Sequence, residues 1–125
     1  MRQDPLVSYL RQAVPELLAI YCCNSPALET APVRMDPHIA LLAAGLISPE
    51  QLWPLADALL PLTGSLVEVV DLRTVSPELQ HQLLAQGRRL WAADVRAGLF
   101  EWRILNERSA LERARQQSAT QPLSR

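Results

Sequence analysis

The stretch LVEVVDLRTVSPE, residues 66–78, contains the strongest strand pattern in the chain, followed directly by a helix start. Leu66–Leu72 is rich in β-branched residues, which suit a pleated, extended backbone. Ser76 and Pro77 then provide an N-cap residue and a proline at the first helical position. A strand that leads within a few residues into a helix is typical of an α/β domain.

Patterns on both sides of this stretch extend the same architecture. Two apolar runs, Leu17–Cys23 and His38–Ala44, have the length and composition of buried strands, and the loop of residues 24–37 between them carries three prolines. Ser48 and Gly64 mark the start and the end of a helix. Further periodic segments predict helices over residues 6–14, 76–87 and 94–117, and a short strand over 89–91.

The order of these elements predicts a single domain over residues 1–117. We expect an α/β fold with one mixed β-sheet flanked by helices and a long C-terminal helix. Pro54 is expected to shorten or kink the helix that it interrupts. The polar residues 118–125 (SATQPLSR) predict a disordered tail.

The composition excludes several classes of function. A net charge of −1 argues against broad electrostatic capture of nucleic acid or of an anionic membrane. All twelve basic residues are arginines, which excludes every mechanism that needs a lysine. The adjacent Cys22 and Cys23 lie in a predicted strand, where we expect small buried apolar side chains. Without a signal-peptide pattern or an apolar run near 18 residues, the chain is expected to be cytoplasmic.

Residues 67–77 (VEVVDLRTVSP) and 84–91 (LAQGRRLW) resemble the minimal nucleotidyltransferases, small bacterial relatives of the polymerase-β-like transferases. Members of that family carry V-D-[VL]-V-D-L, R-T-A-x-P and G-R-x-[LI]-[YW] at these places. The resemblance covers about residues 5–105 and implies a nucleotidyltransferase fold. In the family, a G-S-x-x-x-G loop cradles a triphosphate, two aspartates in D-x-D hold Mg²⁺, and a carboxylate from the next strand completes the site.

Placed on that pattern, residues 24–29 (NSPALE) occupy the phosphate-binding loop. The resemblance implies that Asn24 and Ser25 are the relic of that loop. Asparagine tolerates the left-handed backbone better than most residues, so Asn24 is a mild replacement for glycine. Glu29 replaces the second glycine and places a negative charge where a triphosphate would lie, at a cost of roughly 1–4 kcal/mol per unit charge at about 4 Å.

The metal-binding positions are also altered. Asp36 keeps the first aspartate, His38 replaces the second, and Glu68 keeps the third carboxylate, so these three residues form a relic metal site in which Glu68 is the relic catalytic carboxylate. Mg²⁺ prefers oxygen ligands, and the site is therefore expected to be inactive and to bind no cofactor. Two alternatives stay open for His38: a ligand of a softer metal such as Mn²⁺ or Zn²⁺, or a strand residue hydrogen-bonded to a neighbouring carboxylate. Asp71 is expected to cap the turn that follows its strand.

The last helix predicts a partner surface. Its apolar residues form two adjoining tracks, of which one is expected to pack on the sheet. Phe100 and Trp102 are of the residue types that anchor interfaces, and we expect one of them to be exposed in the monomer. The alternative is that both tracks are buried in the monomer.

The resemblance implies a function in a toxin–antitoxin pair. Minimal nucleotidyltransferases are typically encoded beside a HEPN-domain RNase toxin, and active members add AMP to a tyrosine of that toxin. We expect an antitoxin-like pseudoenzyme that binds and neutralises a HEPN-type toxin without catalysis, does not bind nucleic acid strongly, and possesses a surface for homo-oligomers or partners. The alternatives are an active adenylyltransferase that uses ATP and Mg²⁺, and a homodimeric interaction module without a HEPN partner.

Overall fold

The computed structural model describes residues 3–23, 38–64 and 67–120, with side chains described for residues 4–107 within these ranges. Helices and strands follow one another in the predicted order, helix–strand–strand–helix–strand–helix–strand–helix. Their bounds are α1 Gln3–Ala13, β1 Leu17–Cys23, β2 His38–Ala43, α2 Pro49–Thr63, β3 Glu68–Asp71, α3 Pro77–Gln86, β4 Arg88–Ala92 and α4 Val95–Thr120.

Within the described residues, the four strands form one mixed sheet in the order β3-β2-β1-β4. β1 is antiparallel to both β2 and β4, whereas β2 and β3 are parallel. The parallel pair is joined by the helix α2, as a crossover between parallel strands requires. All the residues of β1 and β2 are buried, because helices cover both faces of the sheet.

The two faces carry separate apolar cores. On one face, α1 and α2 bury leucines such as Leu6 and Leu59 against Ile20 and Ile39. On the other face, α3 and α4 contribute the core residues Leu83, Ala97, Phe100 and Ile104, which pack with Leu18, Tyr21, Ala40 and Leu42. The period-2 alternation of a strand explains how neighbouring residues of β2 enter opposite cores.

The helix caps follow the sequence signals. Ser48 caps α2 in a capping box with Gln51, and Ser76 accepts the Leu79 N–H at the start of α3. Gly64 ends α2 with φ 78°, in the left-handed region that a side chain disfavours. These local interactions confirm both predicted helix starts.

Two helices extend further than the prolines of α2 and the polar C-terminal residues suggest. α2 continues through Pro54 and Pro61 for 15 residues, because both prolines lie on its exposed side, where water can satisfy the carbonyls that lose a partner. α4 continues to Thr120, so residues 118–120 belong to a helix and not to a tail. No helix among the described residues is both long and apolar enough to cross a membrane.

Candidate functional site

His38 and Glu68 face each other at one edge of the sheet. They are the first residues of the parallel strands β2 and β3 and are paired in register. The His38 Nε2 atom lies 3.4 Å from the Glu68 Oε1 atom. The imidazole is buried, whereas the Glu68 side chain is 69% exposed. The predicted proximity of these two residues is confirmed, and it agrees with the interpretation of His38 as a strand residue beside a carboxylate.

The connection between β1 and β2 begins and ends at this same edge. Cys23, the last residue of β1, is the antiparallel partner of His38. Asn24, Ser25 and Asp36, the predicted relic phosphate loop and metal ligand, lie in that connection and fall outside the described residues. Their role therefore stays a prediction, although the chain must leave and re-enter the sheet beside the His38–Glu68 pair.

Gly87 allows the end of α3 to approach this edge closely. A β-carbon at Gly87 would overlap the Leu83 carbonyl oxygen and would stand 3.1 Å from the Cys22 carbonyl oxygen. Only a residue without a side chain fits that space. The sequence identified Gly87 as a helix end and as part of a motif, but its packing against β1 requires the three-dimensional structure.

Among the described residues, His38 and Glu68 provide one nitrogen donor and one carboxylate at this edge. Glu68 offers a carboxylate, but an imidazole stands where the family pattern has its second aspartate, and Mg²⁺ favours oxygen ligands. In residues 3–23, 38–64 and 67–120, no three His, Cys, Asp or Glu side chains are grouped as a metal would require. Asp36, the third predicted ligand, falls outside the described residues, so metal binding at this edge stays a prediction.

Asp71 is a structural carboxylate. It is 1% exposed, and its two side-chain oxygens accept the Ile47 N–H and the Arg73 N–H, each at 3.0 Å. The Thr74 N–H and hydroxyl bond the Asp71 carbonyl, which closes the turn after β3. The predicted capping role is confirmed. The bond to Ile47 in addition ties β3 to the start of α2.

A buried tyrosine connects α4 to β1 and β4. The Tyr21 hydroxyl donates a hydrogen bond of 2.7 Å to Glu101, whose same oxygen lies 3.0 Å from the Arg89 guanidinium. Burial, together with the hydrogen bond to Glu101, raises the pKa of Tyr21 above its ordinary value. Burial also raises the pKa of the Cys22 thiol, which suits the predicted role of an inert core side chain. The tyrosine network has no signal in the sequence, because its members are up to 80 residues apart.

Phe100 and Trp102 lie on different sides of α4. Phe100 is 7% exposed and packs on the sheet with Ala97 and Ile104, which follow the helical period on the same face. The expectation that Phe100 belongs to a partner surface is therefore corrected, since it is a core residue. Trp102 is 66% exposed and Leu99 is 60% exposed, so the outward side of α4 is apolar at this point.

Comparison with known proteins connects this fold to nucleotide transfer. No protein-family model matches the chain. A curated relative, protein adenylyltransferase MntA of Shewanella oneidensis, is 31% identical over 116 residues, which are 93% of this chain and 84% of that relative. The relative is thus similar over nearly the whole chain.

Solved structures agree in fold over the same length. A tri-AMPylated Shewanella oneidensis HEPN toxin in complex with an MNT antitoxin matches with a TM-score of 0.73 at 30% identity, over 94% of this chain and 92% of that chain. A toxin–antitoxin crystal structure with AMP-PNP matches with a TM-score of 0.75 at 30% identity, over 95% and 96%. These likenesses confirm the predicted nucleotidyltransferase fold.

Proposed function

This chain belongs to the minimal nucleotidyltransferase family represented by MntA, and from that membership we propose that it binds and neutralises a HEPN-domain toxin without transferring a nucleotide. Toxin binding is supported by a solved structure similar to this chain, in which an MNT antitoxin is in complex with a HEPN toxin. Inhibition would follow from occlusion of the toxin by the bound partner.

The observation that carries the absence of transfer is the histidine opposite Glu68. In a site that works through Mg²⁺ and a triphosphate, neighbouring carboxylates hold the metal. His38 supplies a nitrogen donor at that place, and its Nε2 atom lies 3.4 Å from the Glu68 carboxylate. The replacement of a loop glycine by Glu29 adds a negative charge to the same region of the sequence. Both changes act against the binding of a nucleotide.

ATP dependence tests the proposal. A HEPN-domain toxin is purified, and its RNA cleavage is measured with increasing amounts of the chain in buffer that contains EDTA and no ATP. We expect stoichiometric inhibition under these conditions, and equal inhibition by a Glu68→Gln variant, because neither ATP nor the site carboxylate is needed. Inhibition that appears only after ATP and Mg²⁺ are added would contradict it.

An active adenylyltransferase is the second candidate. It is favoured by Glu68, which keeps a carboxylate at the family position with most of its side chain exposed, and by a relative named as an adenylyltransferase. Calorimetric titration with ATP and Mg²⁺ separates the two functions. Saturable binding that is lost in Asp36→Ala supports the enzyme, whereas the absence of heat beyond dilution supports the pseudoenzyme.

A further inference from the structure

A groove with basic sides lies at the end of the sheet opposite the His38–Glu68 pair. Leu18 lies at the start of β1, and Arg73 lies two residues after the end of β3, so the groove opens where these strands meet the start of α4. It has a volume of about 320 Å³, and Leu18, Leu99 and Phe100 provide its apolar lining. Arg73 and Arg103 line it as well, and we call it the arginine groove.

Two guanidinium groups of this groove share one aromatic ring. The Arg73 guanidinium carbon lies 5.3 Å from the centre of the Phe100 ring, and that of Arg103 lies 5.1 Å from it. Both distances are within the range of a cation–π interaction. Arg73 is held further by its Nε, which donates to the Ala43 carbonyl oxygen at 2.9 Å. The groove therefore presents two positive charges, of which that of Arg73 is held in place by its bond to Ala43.

Neither of these charges is neutralised within the part of the chain that the structure describes. Arg73 and Arg103 form no ion pair there, whereas a third arginine at the groove, Arg96, is paired with Asp94 at 2.7 Å. Arginine forks bind carboxylates and phosphates with two parallel hydrogen bonds. Two uncompensated guanidinium groups in a chain of net charge −1 thus form a local site for an acidic ligand.

The surface beside the groove is apolar. Leu99 lines the groove and is 60% exposed, and Trp102 is 66% exposed on the outward side of the same helix. A ligand that satisfies both features carries acidic groups along one side and apolar groups along the other. An amphipathic helix with acidic residues has that chemistry, and helices commonly dock by laying apolar residues at helical spacing into such surfaces.

We propose that the arginine groove docks an acidic amphipathic helix of the HEPN-domain partner. This inference rests on the proposed function for the identity of the partner. The groove is distinct from the candidate site, because Leu18 and Cys23 stand at opposite ends of β1 and five residues of strand span about 17 Å. The proposed contact therefore holds the partner at a surface that is separate from the candidate nucleotide site.

Charge reversal at Arg103 tests whether the arginine groove binds the HEPN-domain partner. The dissociation constant of the HEPN-domain protein is measured by calorimetry for the natural chain, for Arg103→Glu and for Arg88→Glu, an equal charge change at an exposed residue near the other end of the sheet. We expect Arg103→Glu to weaken binding at least tenfold and Arg88→Glu to change it less than threefold. Circular dichroism and thermal melting check that the variants are folded, and Arg103→Met replaces Arg103→Glu if the latter is not.

The binding measurements distinguish a failure of the proposed function from a failure of the proposed docking groove. No binding by the natural chain overturns the proposed function itself, while binding that Arg103 does not affect overturns only the groove. Equal losses in both arginine variants also overturn the groove, since they indicate a general effect of charge. A fluorescein-labelled single-stranded RNA that binds the natural chain and not Arg103→Glu, with partner binding unchanged, would assign the groove to nucleic acid and overturn the proposal.

Discussion

Two acidic residues of the same strand should differ sharply in what they contribute to stability. Asp71 and Glu68 both belong to β3, yet Asp71 is 1% exposed and the Glu68 side chain is 69% exposed. Replacement of Asp71 by alanine removes the acceptor of two backbone N–H groups, those of Ile47 and Arg73. Of these, the Ile47 N–H is buried and loses its carboxylate partner.

The structure sets the size of the expected effect. A hydrogen bond to a charged group contributes roughly 1.5–3 kcal/mol, so two such bonds amount to about 3 kcal/mol or more. Small domains have a free energy of unfolding of about 5–15 kcal/mol, so Asp71→Ala should remove a large part of it. At about 4 °C per kcal/mol, the melting temperature should fall by roughly 12 °C.

Urea unfolding followed by circular dichroism measures this difference. Glu68→Ala is the matched control, because it removes an exposed carboxylate, and polar contacts of such solvent-exposed groups contribute about 0–1 kcal/mol. We expect a change within about 1 kcal/mol for Glu68→Ala. If the two variants lose equal stability, the assignment of Asp71 to structure and Glu68 to the site is refuted.

Three further predictions concern packing, ionisation and the surface of α4. Gly87→Ala should lower the free energy of unfolding, because the added carbon overlaps the last turn of α3. Calorimetric melting measures this loss, and a loss below about 1 kcal/mol would contradict the prediction. A Tyr9→Phe variant leaves Tyr21 as its one tyrosine, and the pKa of Tyr21 is raised in the folded protein. The contribution of the protonated Tyr21 to stability is therefore complete below a pH of about 10 and is lost as the pH rises. Phenolate absorbance at 295 nm should then appear together with unfolding, and its appearance in the folded protein would refute this. Phe100→Ala should lower the free energy of unfolding by about 3–5 kcal/mol, and Trp102→Ala should lower it by less than about 0.5 kcal/mol. Similar losses of both variants in denaturant unfolding would contradict the assignment of Phe100 to the core and of Trp102 to the surface.

Local sequence signals predicted the order of the helices and strands, because each signal depends on only a few adjacent residues. Ser48 with Gln51, and Ser76 with Pro77, mark helix starts whose hydrogen bonds form within one turn. The apolar runs Leu17–Cys23 and His38–Ala43 indicate strands that are buried on both faces. Register could be deduced only in part, and the resemblance supplied the expectation that His38 and Glu68 lie together.

Features that depend on distant residues could not be predicted in this way. The Tyr21–Glu101 hydrogen bond joins residues 80 positions apart, and its members carry no local pattern. Phe100 and Trp102 differ by two positions, which on a helix is a rotation of about 200°, so only the packing of α4 decides which of them is buried. The prolines of α2 illustrate the same limit, since their cost depends on which side of the helix faces water.

Transfer of labelled AMP shows whether the chain neutralises its partner by binding alone or by nucleotide transfer. The chain is incubated with its HEPN-domain partner, Mg²⁺ and ATP labelled at the α-phosphate, and the proteins are separated and counted, with RNA cleavage measured in the same samples. We expect complete inhibition of cleavage with no label on the toxin or on the chain itself. Label on the toxin that disappears in the Asp36→Ala variant would contradict it and would establish the chain as an active adenylyltransferase.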